Sequence, residues 1–182
     1  MTSANNDMPT PESLVERLRA TAAWRGEPRP VGSAVVVDID GVLSDASQRQ
    51  HHLNNPQGRR DWKAFFGAVG ADEPLTEVPR LLHLLAPDVT VVLLSARPAW
   101  VFDITHEWLL RHEIRWDLLV LRSERDRRDA PMFKREVVGA LRQGGYAIEL
   151  AFDDDQRIID MYRTEGVRTL YVPSGYYAHR DA

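Results

Sequence analysis

The chain holds 182 residues with a formal net charge of −4, 43% hydrophobic and 27% charged residues, which is enough length for one domain with a buried core and an ordinary globular composition. No apolar run approaches the ~20 residues that span a bilayer, and the polar N-terminus Met1–Asp7 lacks a signal-peptide core, so a cytoplasmic protein is expected. The lack of cysteine excludes disulfides and thiolate metal sites, and the mildly acidic balance argues against a protein that coats nucleic acid nonspecifically while leaving room for a local basic site.

Basic residues are unevenly chosen: lysine occurs at Lys63 and Lys134 alone, and arginine supplies the rest. Where lysine persists against that bias, a compact ammonium is needed rather than a planar fork. Residues 1–10 read as disordered. From Pro11, the spacing of Leu14, Val15, Leu18 and Ala22 predicts an amphipathic helix, with Thr10 as cap and Pro11 in the first helical position. Residues 25–32 carry two prolines and two glycines and read as a linker. Residues 1–30 are therefore a tail and helix ahead of one domain over 31–182.

Ala34-Val35-Val36-Val37 reads as a buried strand running into Asp38-Ile39-Asp40-Gly41. Period two puts Asp38 and Asp40 on one side of the backbone, about 7 Å apart, and Gly41 permits a sharp exit. Two carboxylates so close repel, and a hard divalent cation such as Mg²⁺ is the simplest group to sit between them. The same four residues could equally be a strand-ending turn, so the motif needs partners elsewhere.

Residues 44–58 have no period and include His51, His52 and Asn54-Asn55-Pro56. Asp61 then caps a short helix with Trp62, Phe65 and Phe66 as aromatic anchors. Residues 44–73 read as a small insertion covering the strand ends, with the aromatics packing it down or offering a stacking platform. The histidines read as solvent-exposed. A helix is predicted over 75–86 and a strand over 89–94, ending in Ser95-Ala96-Arg97-Pro98. The next helix, 100–112, turns Val101, Ile104, Trp108 and Leu109 inward, and Trp100, Trp108 and Trp116 read as packing residues. A strand over 117–121 leads to a charged loop, 122–130. A helix from Pro131 to Gln143 is stopped by Gly144-Gly145. A strand over 148–152 ends in Asp153-Asp154-Asp155, a helix follows to Glu165, and a strand over 167–172 precedes a tail with Tyr176, Tyr177 and His179. Five alternations of strand and helix predict an α/β fold, a parallel sheet wrapped on both faces.

In such a sheet the C-terminal strand ends gather at one edge. They bring together Asp38 and Asp40, Ser95, the pair Asp153-Asp154 and, from the helix before the fourth strand, Lys134. Carboxylates for nucleophilic and acid–base work, with an ammonium and a metal to neutralise phosphoryl oxygens, form a phosphoryl-transfer inventory.

This constellation resembles the haloacid dehalogenase (HAD) superfamily of phosphatases, through Asp38-Ile-Asp40-Gly-Val-Leu43, Ser95, Lys134 and Asp153-Asp154 in the family's order. The resemblance implies a HAD-like Rossmannoid fold with a five-stranded parallel sheet and a small cap. It implies Asp38 as nucleophile, forming an aspartyl-phosphate, and Asp40 as general acid and then base. Ser95 would bond a phosphoryl oxygen, and Lys134 would pair with the phosphate and Asp38. Mg²⁺ would be held by Asp38, the Asp40 backbone carbonyl and Asp153, with Asp154 as ligand or in support. Val42 stands where many members have Thr. Ser95-Ala96-Arg97, together with Arg122, Asp126, Arg128 and Lys134 at their offsets, is more narrowly similar to the 3′-phosphatase domain of phage-type polynucleotide kinase. That likeness adds Gly41, Ala96, Arg97, Arg122 and Arg128 as substrate contacts. The narrower family's Arg after the acidic pair is Asp155 here, with Arg157 two residues on. No Gly-rich kinase loop is present in the sequence, so a standalone phosphatase of nucleic-acid 3′-ends is expected, with a separate kinase or ligase as partner. A deoxynucleotide 5′-phosphatase is the second reading, and a noncatalytic nucleic-acid-end binder is the alternative from another class. A glycosyltransferase also uses Asp-x-Asp, but does not account for Ser95, Lys134 and the second acidic pair together.

Overall fold

The computed structural model describes residues 14–15, 18, 20–54 and 59–177. The strands and helices are β1 (Thr21–Trp24), β2 (Ser33–Val37), β3 (Ser44–Asp45), α1 (Trp62–Gly67), β4 (Glu73–Pro74), α2 (Glu77–Leu84), β5 (Thr90–Pro98), α3 (Phe102–Arg111), β6 (Leu118–Arg122), α4 (Ala130–Gln143), β7 (Ala147–Asp153), α5 (Gln156–Thr164) and β8 (Thr169–Tyr171). Six strands form the main sheet in the order β1-β6-β5-β2-β7-β8. Five of them are parallel, as expected, and β1 adds an antiparallel edge along β6. That edge corrects the reading of Ala22 as helical. Of the expected helix, Leu14 and Val15 are helical and Leu18 lies in a bend, while its cap Thr10, Pro11 and the expected tail over 1–10 lie outside the described residues.

β2 is the central strand because it is apolar on both sides. Ala34 and Val36 face one cluster, with Leu94, Val120, Phe133, Val137 and Tyr162. Val35 and Val37 face the other, with Leu93, Leu82, Trp108, Leu119 and Leu121. Alternation along a doubly covered strand gives each face its own core. The chain moves from β2 outward through β5 to β6, then returns across β2 to β7 and β8. The direction of winding reverses at β2, and ligands bind at such a reversal, beyond the carboxyl ends of the strands.

Local signals set the helices. The Asp129 carboxylate accepts from the Met132 N–H and Pro131 sits in the first turn of α4. Asp61 caps α1 and Asp155 caps α5 in the same way. The insertion is tied at its base by a two-residue antiparallel ladder, Ser44 to Pro74 and Asp45 to Glu73. Trp108 and Trp116 are buried as expected, but Trp100 and Ile104 are exposed. Trp100 lies in a 3₁₀ turn ahead of α3, whose buried stripe is Thr105, Trp108 and Leu109. Among the described residues, no helix is long and apolar enough to cross a membrane.

Candidate active site

Asp38 is the first residue past β2. Its backbone N–H donates to the Phe152 carbonyl of β7 at 3.0 Å, which continues the ladder and fixes the side chain at the sheet edge. One carboxylate oxygen accepts from the Ile39 N–H at 2.8 Å. The other faces the Lys134 ammonium at 3.0 Å. Lys134, fully buried on the first turns of α4, also donates to Asp153 Oδ2 at 2.7 Å. Burial alone would depress the lysine, but Asp153 and Asp38 hold its pKa well above the ordinary value.

Asp38, Asp153 and Asp154 each offer an oxygen within 4.8 Å of the others, and all three are buried. Burial pushes Asp38 up to about 7 against the pull of Lys134, and pushes Asp154 up to about 8, helped by the charge of Asp38. One ammonium does not balance three carboxylates. Asp153 has both oxygens engaged, by Lys134 and by the Asp155 N–H at 3.0 Å. Asp154 Oδ2 is buried and has no hydrogen-bond partner. An orphaned carboxylate oxygen in an all-oxygen cluster with surplus negative charge fits a hard divalent cation. Gly41 makes the approach of Asp154 possible: its φ is +77°, and a Cβ there would lie 2.1 Å from Asp154 Oδ2.

The Asp40 carboxylate points away from this trio. It is gripped by Arg97, through Nη2 at 2.6 Å and Nε at 3.1 Å, and by Arg49. Arg97 also donates to Thr105 Oγ1 at 3.1 Å and Ser44 Oγ at 3.1 Å. Arg49 binds Asp72 at 2.8 Å and lies over the Phe65 ring at 4.2 Å. Arg49, Asp72 and Arg97 are all buried. Burial would raise the Asp40 pKa, but the two guanidinium groups outweigh it and hold the carboxyl well below its usual range.

A cleft of about 160 Å³ opens over these groups, lined in part by Asp38, Asp40, Ser95, Ala96, Arg97, Arg122 and Lys134. Ser95 is buried at the floor, and its Oγ accepts from the Arg97 N–H at 3.3 Å. Arg122 is held by the Ala96 carbonyl at 3.0 Å. Arg128 does not line this cleft and is turned to Asp126 and Glu136. Its acidic neighbours lie two residues back and in the second turn of α4. Arg157 does line the cleft, paired with Asp155 at 3.0 Å through Nε. His51 is exposed, as expected, whereas His52 is half-buried, and their rings lie 3.9 Å apart, tilted by 42°.

Sequence reasoning missed Arg49 and Asp72. They lie 23 residues apart in the insertion, in segments without periodicity, and only their burial together reveals them. Tyr176 and Tyr177 line the cleft, and the Tyr176 hydroxyl donates to Asp45 at 2.7 Å, joining the tail to the insertion. His179 lies outside the described residues.

Comparison with known proteins agrees with this arrangement. The family model of the polynucleotide kinase PNKP phosphatase domain matches residues 32–177. A search of curated proteins gives no match. Chains from two structures of the Pnkp1/Rnl/Hen1 complex, one described as an RNA repair complex, are 26% and 27% identical to this chain. Their TM-scores are 0.64 and 0.65, and both matches cover 82% of this chain. The chain spans under half the length of those proteins, 45% and 48%. The class C acid phosphatase from Bacillus anthracis, solved with tungstate, shares the fold at 17% identity and a TM-score of 0.53, covering 81% of this chain and 69% of that one. The chain thus belongs to the PNKP phosphatase-domain family of HAD phosphatases.

Proposed function

We propose that this phosphatase removes 3′-phosphates from nucleic-acid ends through an aspartyl-phosphate on Asp38, with Mg²⁺ as cofactor. The observation that carries the mechanism is the placement of Asp38 Oδ2 against the Lys134 ammonium in the lining of the cleft. The family match and the likeness to chains of an RNA repair complex support the substrate.

Asp38 attacks the phosphorus, and the bond to the 3′-oxygen breaks as the Asp38–phosphorus bond forms. Lys134, Ser95 and the Arg97 backbone stand where phosphoryl oxygens would be received. Asp38, Asp153 and Asp154 would hold Mg²⁺, which supplies charge neutralisation to the transferring group when bound. Asp40 begins as a carboxylate, because two arginines stabilise its charge. That state suits the second step, in which it takes a proton from the water that attacks the phosphoaspartate. In the first step the leaving 3′-oxygen needs a proton. The dianionic phosphate competes for Arg97, and loosening that grip raises the Asp40 pKa, so Asp40 takes a proton from solvent as substrate binds and passes it to the leaving 3′-oxygen.

The reading of a partner follows from the same neighbours: a separate kinase or ligase would act on the ends that this chain clears. The test is phosphate release with Mg²⁺ from a 3′-phosphorylated oligonucleotide, its 5′-phosphorylated isomer and mononucleotides. Preference for the 3′-end is expected. Preference for 5′-mononucleotides would replace this reading with a nucleotidase.

A further inference from the structure

A second groove adjoins the cleft, of about 670 Å³, and shares Trp62, Phe66, Ala96 and Arg122 with it. We infer that this groove is the path of the single strand carrying the terminal phosphate, and that Trp100 and Lys63 hold its last nucleotides. This rests on the phosphatase reading above.

Size makes the first argument. The cleft, at about 160 Å³, is smaller than the roughly 300–1,000 Å³ of pockets that enclose a whole small ligand. It receives the phosphoryl group, and the rest of a nucleotide chain must lie elsewhere. The groove is continuous with it and larger.

The lining makes the second. Trp62 and Trp100 are 45% and 44% exposed. Two indoles held half in solvent along one groove offer flat apolar faces for bases. Trp62 is braced by Phe66, stacked at 5.8 Å with 20° between planes, so its face is preorganised. Lys63, one of the two lysines in the chain, lines the groove with Arg122 and Arg127. Glu124 and Asp126 also line it, but the Asp126 carboxylate is bound by Arg128 Nε at 2.9 Å. Lys63 and Arg127 are exposed and Arg122 is half-buried, and cations placed beside aromatic faces match a backbone with bases turned to one side.

Strandedness follows from the stacking. Interior bases of a duplex present only their edges, and the terminal pair has one uncovered face. Successive bases can reach the two indoles only when unpaired, so the groove selects single-stranded or frayed 3′-ends over paired ones.

The test uses the full chain with Asp38→Asn, which binds without turnover, in the presence of Mg²⁺. Oligonucleotides with a 3′-phosphate, from one to six nucleotides long, are titrated against tryptophan fluorescence. Affinity should climb with the first added nucleotides and then level off, with quenching at each step. Trp100→Ala should cut the ratio of hexamer to mononucleotide affinity about tenfold. Lys63→Ala should flatten the salt dependence of hexamer binding by about 0.7 in log–log slope. A 3′-end paired in a blunt duplex should bind more weakly than the same strand free. Both side chains are exposed, and circular dichroism would verify that the variants fold. Affinity independent of length, or a hexamer-to-mononucleotide ratio unchanged by Trp100→Ala, overturns the strand path, and turnover of 3′-ends by the active protein then leaves the phosphatase reading intact. Length-dependent binding without turnover of 3′-ends does the opposite: it upholds the path and overturns the substrate reading.

Discussion

Asp38 and Asp40 are two residues apart, yet the fold sends their pKa values in opposite directions. Asp38 is pushed up to about 7 by burial, and Asp40 is held well below its usual range by Arg97 and Arg49. On the proposed mechanism this division gives Asp40 a conditional role, since its proton is needed only when the leaving group is a poor one. Asp40→Asn should therefore slow hydrolysis of a 3′-nucleotide by at least about 100-fold, while p-nitrophenyl phosphate, whose leaving group needs no proton, is slowed about tenfold or less in its first step. Pre-steady-state bursts with both substrates check this. Equal losses would show that Asp40 does not donate the proton. The Asp-x-Asp-Gly stretch was legible because strand, acids and glycine are contiguous. What the sequence could not show was the fate of the Asp40 carboxylate, since its partners Arg97 and Arg49 lie 57 and 9 residues away.

The insertion between β2 and α2 is held by an ion pair as well as its short ladder. Arg49, from its first half, reaches Asp72 at its end, and Asp72 also accepts from Ser44 Oγ at 2.7 Å. Its backbone carbonyl accepts from Trp108 Nε1 at 2.7 Å, which ties the clamp to α3. Arg49→Ala leaves buried carboxylates short of a partner and should cost about 3–5 kcal/mol, read by urea denaturation, with faster proteolysis within the insertion. A change below about 1 kcal/mol would show that the pair contributes little to docking. The periodic elements of the sheet were readable because β-branched runs and capped helices carry their own signals. β1 was not, because Thr21-Ala-Ala-Trp24 holds two good helix formers and becomes a strand only through its ladder with β6. Trp100 was read as a packing residue because an indole is usually buried, whereas a 3₁₀ turn leaves it at the groove.

At the scale of the whole molecule, the acidic trio couples folding to pH and, on the proposed function, to metal. Asp38 and Asp154, at about 7 and about 8, sit above the roughly 4 of an unfolded aspartate. Between those values the folded metal-free protein binds more protons than the unfolded chain, so these groups make stability fall as pH rises from about 4 to about 8. On the proposed function, Mg²⁺ would bind the deprotonated cluster. It should raise the melting temperature more at pH 8 than at pH 6, and release about one proton on binding at pH 7. Thermal melts and calorimetry in buffers of different ionisation enthalpy measure both. A Mg²⁺ effect that is flat with pH would show that the trio is not the metal site.

The claim that joins these scales is that Asp38 takes the phosphoryl group. Its most direct measurement is an acid quench of the enzyme, with Mg²⁺, within milliseconds of mixing with an oligonucleotide radiolabelled in its 3′-phosphate. The account predicts label on the protein that hydroxylamine removes, located to Asp38 and absent from Asp38→Asn. Release of labelled phosphate at the full rate by Asp38→Asn, with no label on the protein at any time, would contradict it.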